Sequence, residues 1–246
     1  MKTFRIHRLA AAAALLAIAG AACAQATITH DKALAGSVTP GDSAGYPITI
    51  SQPGSYKLMS NLVVPDGLSG IQITADDVTL DLNGFKIVGA GSCVRDTASY
   101  LVTCTNVDYT SGVEVKGGET LSAVVRNGTV QGFDRGVLLK SGIVEGLTVK
   151  HNSTGVLVQG SSTNTTRISG VNAFMNATGV RLYDYALIER CVANANGTGF
   201  GSYMGSIPGA VINSVSSLNY VGIHGLATRG NRVHLNKIDE SLAVAF

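Results

Sequence analysis

A short pattern of apolar and polar positions recurs along most of the chain. A glycine, an apolar residue and an alternating run appear together at Gly112-Val113, Gly136-Val137, Gly155-Val156, Gly179-Val180, Gly199-Phe200 and Gly222-Ile223. Successive glycines lie 24, 19, 24, 20 and 23 residues apart, a mean of 22. This spacing is typical of a solenoid, because βαβ units need about 30 residues or more.

Each period holds more than one short strand. Second alternating runs occur at Gly146–Val149 and Gly170–Ala173, and the residues between runs are mainly Ser, Thr, Asn and Gly, which favour tight turns over helices. Stacked coils place each strand parallel to its counterpart about 4.8 Å away, and parallel crossovers are overwhelmingly right-handed. The pattern therefore predicts an all-β, right-handed parallel β-helix of about eight coils.

The alternation also predicts which side chains face the core. The first and third residues after each glycine point inward, as in Val113 and Val115, Val137 and Leu139, Val156 and Val158, and Val180 and Leu182. The second residues point outward and are Glu114, Leu138, Leu157, Arg181, Gly201 and His224. The fourth residues also point outward and are Lys116, Lys140, Gln159, Tyr183, Tyr203 and Leu226. The glycine itself fits a corner that needs positive φ or close backbone approach.

An asparagine stands three residues before four of these glycines, at Asn152, Asn176, Asn196 and Asn219. Asparagine tolerates left-handed turn geometry, and its amide can bond to the equivalent amide one coil away, so we expect an asparagine ladder. Phe133 takes this position before Gly136. Glycosylation-like triplets also arise, but repeated turn chemistry explains them more simply; they begin at Asn127, Asn152, Asn164, Asn176 and Asn196.

The segment Gly70–Gly84, together with the Gly-Val coils, resembles the right-handed β-helix, pectate-lyase-like superfamily, in particular secreted bacterial β-helix repeat proteins. The resemblance covers roughly residues 48–238, and Pro53–Leu58 resembles the segment where a cap covers the first coil. It implies an N-terminal segment and cap over 25–69 and a solenoid over 70–246, with an insertion near 91–111. It implies no single activity, because the superfamily includes lyases, hydrolases, epimerases, adhesins and tail spikes.

The start of the chain resembles a signal peptide. Residues 1–24 begin with positive charges, continue with the apolar run Leu9–Gly20 and end in Ala22-Cys23-Ala24, which predicts cleavage before Gln25. A retained membrane anchor would need roughly 20 apolar residues. Lipidation of Cys23 is a further alternative, although this chain has Gly20 at the position where the resemblance to a lipoprotein signal would require a leucine. We expect a secreted, periplasmic or extracellular protein without a stable transmembrane segment.

Charge and cysteine content narrow the function classes. Of 18 basic residues, Lys2, Arg5 and Arg8 lie in the signal-like segment, which leaves 15 against 16 acidic residues and removes electrostatic support for nucleic-acid binding.

Export predicts an oxidising compartment, where Cys93 and Cys104 are expected to pair across a polar insertion. Cys191 lies in an alternating run and is read as a small buried hydrophobe. No metal-type Cys or His cluster occurs, so neither a metal nor another cofactor is predicted.

The outward positions carry few groups for catalysis. A glycoside hydrolase needs two carboxyl groups, and these positions supply only Glu114. Elimination on a uronate needs a cation, a base and an acid, which Lys140, Arg181, Tyr183 and His224 could provide. Arg181 and His224, however, are two coils apart, roughly 10 Å. No compact catalytic triad follows from the sequence.

The same positions also predict a binding surface. Tyr183 and Tyr203 share one offset in adjacent coils, where their rings can stack on a sugar or on each other. Lys140, Arg181 and His224 complete the predicted ligand-binding set, although an isolated histidine or lysine pair also fits a solvated face. Three hypotheses remain: a module that contacts polysaccharide without an assignable catalytic centre, a pectate-lyase-like lyase acting on a uronate polymer, and a structural or adhesive surface protein.

Overall fold

The computed structural model describes residues 25–105, 108–116, 123–159, 166–203, 209–241 and 244–245. The predicted signal peptide and Cys23 lie outside these residues. The described chain contains one helix, α1 (His30–Ala35), which Thr29 caps by accepting a hydrogen bond from the Lys32 backbone. The other regular elements are short β-strands.

The strands follow one another at intervals that reflect the repeat. The N-terminal ones are β1 (Ala26–Ile28), β2 (Ile48–Ile50), β3 (Gly54–Leu58), β4 (Leu62–Val63), β5 (Ile71–Ile73), β6 (Val78–Asp81), β7 (Lys86–Val88), β8 (Cys93–Arg95) and β9 (Val102–Cys104). The central ones are β10 (Ser111–Val115), β11 (Ala123–Gln131), β12 (Arg135–Leu139), β13 (Gly142–Lys150), β14 (Thr154–Val158), β15 (Thr166–Ser169), β16 (Asn172–Phe174), β17 (Thr178–Leu182), β18 (Ala186–Glu189) and β19 (Val192–Asn194). The C-terminal ones are β20 (Thr198–Ser202), β21 (Ala210–Ile212), β22 (Val215–Ser217), β23 (Val221–His224), β24 (Ala227–Arg229), β25 (Arg232–His234), β26 (Ile238–Ser241) and β27 (Val244–Ala245).

These strands stack into three faces. The first face is the nine-stranded sheet β2-β5-β10-β12-β14-β17-β20-β23-β26. A sixteen-stranded sheet supplies the second face, along β1-β3-β6-β11-β13-β15-β18-β21-β24-β27, and the third face, which includes β4, β7, β16, β19, β22 and β25. The long strands β11 and β13 belong to both faces, because they bend at Asn127 and Gly146, whose φ angles are 58° and 59°.

The stacked pairings are parallel and form a solenoid of about seven turns, close to the expected eight. This confirms the predicted all-β parallel β-helix, whereas its right-handedness and its cap stay predictions. Strands β2, β3 and β4 pair in parallel with β5, β6 and β7, so the segment 25–69 also contributes strands to the three faces.

From β11 onward, the turns differ in length mainly at one corner. Between the first and second faces, seven residues separate β14 from β15, whereas two separate β12 from β13. This difference of five residues equals the difference between the 24-residue and 19-residue glycine spacings. From β11 onward the other two corners keep a nearly constant length, whereas 22 residues separate β7 from β10 at the corner between the third and first faces.

The repeated glycines are required by close backbone contact. Gly112 and Gly136 stack in register, as do their successors, and none of the six has positive φ. A Cβ at Gly155 would lie 2.5 Å from the Gly179 carbonyl oxygen, and one at Gly179 would lie 2.6 Å from that of Gly199. Of the two explanations offered by the sequence, close approach is the one the structure shows.

The core has the expected inward residues. The eight inward positions predicted from the alternation are all buried. The predicted outward position of Leu226 was wrong, because this side chain is 0% exposed and belongs to the core. Leu157 keeps its place in the outward row, although it is only 7% exposed. Leu157 lies in register between Leu138 and Arg181, which flank it on the neighbouring strands. Leu226 follows Gly225, whose φ of 64° ends the alternation and redirects the chain.

A buried asparagine ladder connects the turns, as predicted. Asn176 Oδ1 accepts hydrogen bonds from the backbone N and the Nδ2 of Asn152, at 3.0 and 3.2 Å. Asn176 in turn donates through its N and Nδ2 to Asn196 Oδ1, at 2.9 and 3.0 Å. The ladder continues through Asn219 to Asn236, and at its other end the backbone N of Phe133 donates to Asn152 Oδ1.

The left-handed residue of this corner precedes each asparagine. His151, Met175, Ala195 and Leu218 have φ angles of 54°, 54°, 55° and 56°, whereas the ladder asparagines do not have positive φ. The expectation that asparagine itself adopts the left-handed turn was therefore wrong. The asparagine side chains instead make hydrogen bonds that satisfy backbone groups in a fully buried position.

The predicted disulfide joins Cys93 to Cys104. Strands β8 and β9 pair antiparallel between these residues and form a small separate sheet. The polar insertion is therefore a covalently closed hairpin, referred to below as the Cys93–Cys104 hairpin.

The ladder predicts a large loss of stability for Asn176→Ala. The substitution removes the acceptor of the buried Asn152 N–H and the donor to the Val149 carbonyl, so unfolding should become easier by about 2–4 kcal/mol. Asn172→Ala, at an exposed position on the third face, should change stability by less than about 0.5 kcal/mol. Denaturant unfolding of both variants measures the difference, and equal losses would contradict the role of the ladder.

The glycine stack predicts that Gly155→Ala destabilises the protein strongly, because the new methyl group meets the Gly179 carbonyl oxygen at 2.5 Å. At Gly201, a Cβ meets only the Thr198 methyl group closely, at 3.2 Å. We expect Gly155→Ala to lower the melting temperature by several degrees and Gly201→Ala to leave it nearly unchanged. A neutral Gly155→Ala variant would show that the backbones can separate at no cost.

Candidate functional site

An open groove of about 350 Å³ lies on the first face. Its lining is formed by Thr178, Arg181, Thr198, Gly201, Ser202, Tyr203 and His224. Arg181, Gly201 and His224 stand in register on the neighbouring strands β17, β20 and β23. Because Gly201 has no side chain, it leaves a gap in the outward row between Arg181 and His224. We refer to this site as the Gly201 groove.

Arg181 brings positive charge to the Gly201 groove. Its Nη2 donates to Thr178 Oγ1 at 2.9 Å, which holds the side chain along the strand. Within the part of the chain that the structure describes, no carboxylate lies within ion-pair distance of Arg181, whereas Arg126, Arg135, Arg167 and Arg190 each pair with at least one. A guanidinium in this setting retains donors for an anionic group of a ligand.

Tyr183 and Tyr203 form a stacked pair at the edge of the groove. Their ring centroids are 4.9 Å apart and the ring planes differ by 20°. Their backbone N–H groups donate to Val158 and Leu182, so both residues continue the stacking just beyond their strands. Tyr203 is 60% exposed and lines the groove, while Tyr183 is half-buried. The predicted spacing is confirmed, and the rings stack on each other.

The structure brings together four of the five predicted ligand-binding residues. Arg181, Tyr203 and His224 line the groove, and Tyr183 joins them through its stacking with Tyr203. Lys140 is exposed, but it lies two strands from Tyr183 along the same row, about 10 Å away. It lies outside the groove.

Sequence reasoning missed the threonine wall of the groove. Thr154, Thr178 and Thr198 stand in register, each directly before a repeated glycine. The Thr-Gly dipeptide is a visible signal, but an alternation that starts at the glycine does not include the residue before it. The gap at Gly201 forms a groove only because side chains on neighbouring strands surround it. The sequence of a single turn therefore does not reveal the groove.

The outward row containing the groove has one carboxylate from Gln72 to His224, that of Glu114. Glu114 lies three strands from Arg181, about 14 Å away, and Gln72 Nε2 lies 3.5 Å from its Oε2. This spacing separates the carboxylate from the cation. Among the described residues, no group of three His, Cys, Asp or Glu side chains could hold a metal ion.

Cys191 is buried, as predicted, and lies away from the groove. Burial raises the pKa of the Cys191 thiol to about 11. Its neighbours are backbone groups, including the Val171 N–H and the Ile168 carbonyl. Because the thiolate is the nucleophilic form, this cysteine is unreactive at neutral pH.

Comparisons with known proteins give no identification. No protein family, curated protein or solved structure matches the chain. The parallel β-helix is therefore established by the strand pairing alone, and the resemblance to the pectate-lyase-like superfamily stays a prediction. Among the described residues, no helix is long and apolar enough to cross a membrane.

The environment of Cys191 predicts that a thiol reagent will not label the native protein at pH 8. Only about one thiol in a thousand is ionised there, and the side chain is 1% exposed. In protein that begins at Gln25, unfolding without a reductant should expose one reactive thiol, since Cys93 and Cys104 are bonded. Intact mass after labelling measures this, and rapid native labelling would contradict the burial of Cys191.

Proposed function

We propose that this chain is an exported, right-handed β-helix protein of the pectate-lyase-like type whose Gly201 groove binds an acidic polysaccharide. The observation that carries the proposal is the position of Arg181, without a carboxylate partner among the described residues, in an open groove edged by the Tyr183–Tyr203 stack. The groove offers both a cation and an aromatic edge to one ligand.

The chemistry of the groove suits a sugar chain better than a small apolar ligand. Sugar rings present apolar C–H faces that pack on aromatic side chains, and Tyr203 is exposed enough to make such a contact. A carboxylate on the adjoining ring could then accept hydrogen bonds from Arg181. The open shape favours a polymer held by several weak contacts along the solenoid.

Export is supported by two features. The N-terminal sequence has the charge, apolar run and small residues of a signal peptide. The Cys93–Cys104 disulfide is typical of proteins that fold in oxidising compartments. We therefore propose a periplasmic or extracellular location, where polysaccharides of cell envelopes are accessible.

A polysaccharide lyase is the second candidate. Arg181 and His224 line the same groove on either side of Gly201, so a uronate ring in the gap could meet a cation and a proton-transfer group together. Their separation of two strands, about 10 Å, leaves room for one ring between them. Formation of an unsaturated sugar would distinguish this activity from binding alone.

Binding is tested on a glycan array and by titration with pectate, alginate and neutral polysaccharides. We expect the wild-type protein to bind an acidic polymer, and Arg181→Ala and the double variant Tyr183→Ala, Tyr203→Ala each to weaken binding at least tenfold. Added salt should weaken it as well, because screening reduces the attraction between Arg181 and the carboxylate. Lack of wild-type binding to any of these polymers would overturn the proposal.

Gly201→Leu tests the groove itself. Leucine fills the gap, and Leu157 already occupies the equivalent outward position two strands away, so the fold should accept the larger side chain. We expect loss of binding with a nearly unchanged melting temperature. Tyr109→Ala, which removes an 80% exposed tyrosine outside the groove, and Lys140→Ala should bind like the wild type. Unchanged binding by Gly201→Leu would place the ligand elsewhere.

The lyase is tested in the same titrations by following ultraviolet absorbance of the product double bond. If the protein is a lyase, absorbance should rise with the wild type and stop with His224→Ala, while binding by that variant persists. Binding without any rise in absorbance would limit the function to recognition.

A further inference from the structure

The Cys93–Cys104 hairpin lies along one corner of the solenoid. Near its base, the Gly91 N–H donates to the Gly132 carbonyl at 3.0 Å. At the disulfide, His151 Nδ1 lies 3.2 Å from the Cys93 carbonyl oxygen and 3.4 Å from its backbone N. Both sulfur atoms lie 3.5 Å from the Asn152 carbonyl oxygen. The base of the hairpin, which follows β7, thus contacts the corners of the next two turns, after β11 and β13.

The tip of the hairpin reaches turns that are much later in the sequence. Arg95 Nη2 donates to the Leu218 carbonyl at 2.8 Å, across a sequence separation of 123 residues. Lys237 Nζ donates to the Ala98 carbonyl at 2.9 Å, across 139 residues. From Gly132 to Leu235 the corner ascends five strands, about 24 Å, which matches the length of about seven extended residues.

Two interactions hold the tip in shape for these contacts. The Arg95 guanidinium lies over the Tyr100 ring, 3.9 Å from its centroid, which fixes its direction. Asp96 accepts hydrogen bonds from the backbone N–H groups of Ser99 and Ala98. Hydrogen bonds from Ser99 are the main cause that lowers the pKa of Asp96, and the charge of Lys237 acts in the same direction.

Such contacts are unusual in a solenoid, where each turn touches mainly its two neighbours and the last turns can open independently. The hairpin has a short antiparallel ladder of three residue pairs and little core of its own, so its two strands would separate easily without a crosslink. The disulfide therefore decides whether the tip remains in place against Leu218 and Lys237.

We propose that the Cys93–Cys104 hairpin is a disulfide-closed axial clamp that holds the C-terminal turns, including the strand that carries His224, against the middle of the solenoid. A dithiol opens the clamp by thiol–disulfide exchange. Cys93 and Cys104 gain two electrons and two protons and become thiols, while the dithiol is oxidised to its own disulfide. The clamp requires no glycan and does not depend on the proposed function.

Hydrogen exchange followed by mass spectrometry tests the clamp in the folded protein, with and without a dithiol. We expect reduction to speed exchange about tenfold in peptides from residues 209–241 and to leave unchanged residues 135–149, which lie between the hairpin contacts at Gly132 and His151. Arg95→Ala, which keeps the disulfide but removes the contact with Leu218, should also speed exchange in 209–241. Arg190→Ala serves as the matched control and should not speed exchange there, because this exposed arginine bonds to Ser169 and Glu189.

Two results would overturn the clamp. Faster exchange confined to residues 93–104 would show that the hairpin lies on the solenoid without holding it. A uniform increase over all turns would show that the disulfide contributes only to global stability. Because exchange is measured without polysaccharide, a failure of glycan binding leaves this test unaffected.

Discussion

The register between successive turns depends on one buried corner, where asparagine amides and glycine backbones stack together. Each ladder asparagine bonds to the turn on either side, and each repeated glycine lets the adjacent carbonyl approach too closely for any Cβ. A residue inserted at this corner would break bonds in two turns at once. From β11 onward, length variation is accommodated instead between the first and second faces, where loops of two to seven residues leave the stack in register.

The fixed register is also what creates the Gly201 groove. In a stack with equivalent positions aligned about every 4.8 Å, the absence of one side chain opens a gap whose walls belong to neighbouring turns. Arg181 and His224 form two of these walls although 43 residues separate them in the sequence. The Tyr183–Tyr203 pair stands at the edge where loop length varies, so this edge combines a rigid row of side chains with loops that can differ between turns.

The Cys93–Cys104 hairpin adds contacts between turns that are not neighbours in the stack. The stack alone connects neighbours, whereas the hairpin connects Arg95 to Leu218 and Ala98 to Lys237. Its insertion has the polar composition of a loop, yet its contacts run parallel to the solenoid axis. An element that lies outside the repeat thereby links turns that the repeat would leave independent.

The repeat, the inward faces and the disulfide could be predicted from the sequence, because these depend on period-two alternation, on spacing and on the pairing of two nearby cysteines. It also identified Tyr183 and Tyr203 as neighbours, since equal offsets in adjacent turns fix their distance. It misplaced Leu226, because the left-handed φ of Gly225 cannot be read from alternation. It could not show the Thr178 wall, the gap at Gly201 or the path of the hairpin. Those features are decided by which side chains stand on adjacent turns and which backbone carbonyls remain accessible, and only the assembled solenoid brings these groups together.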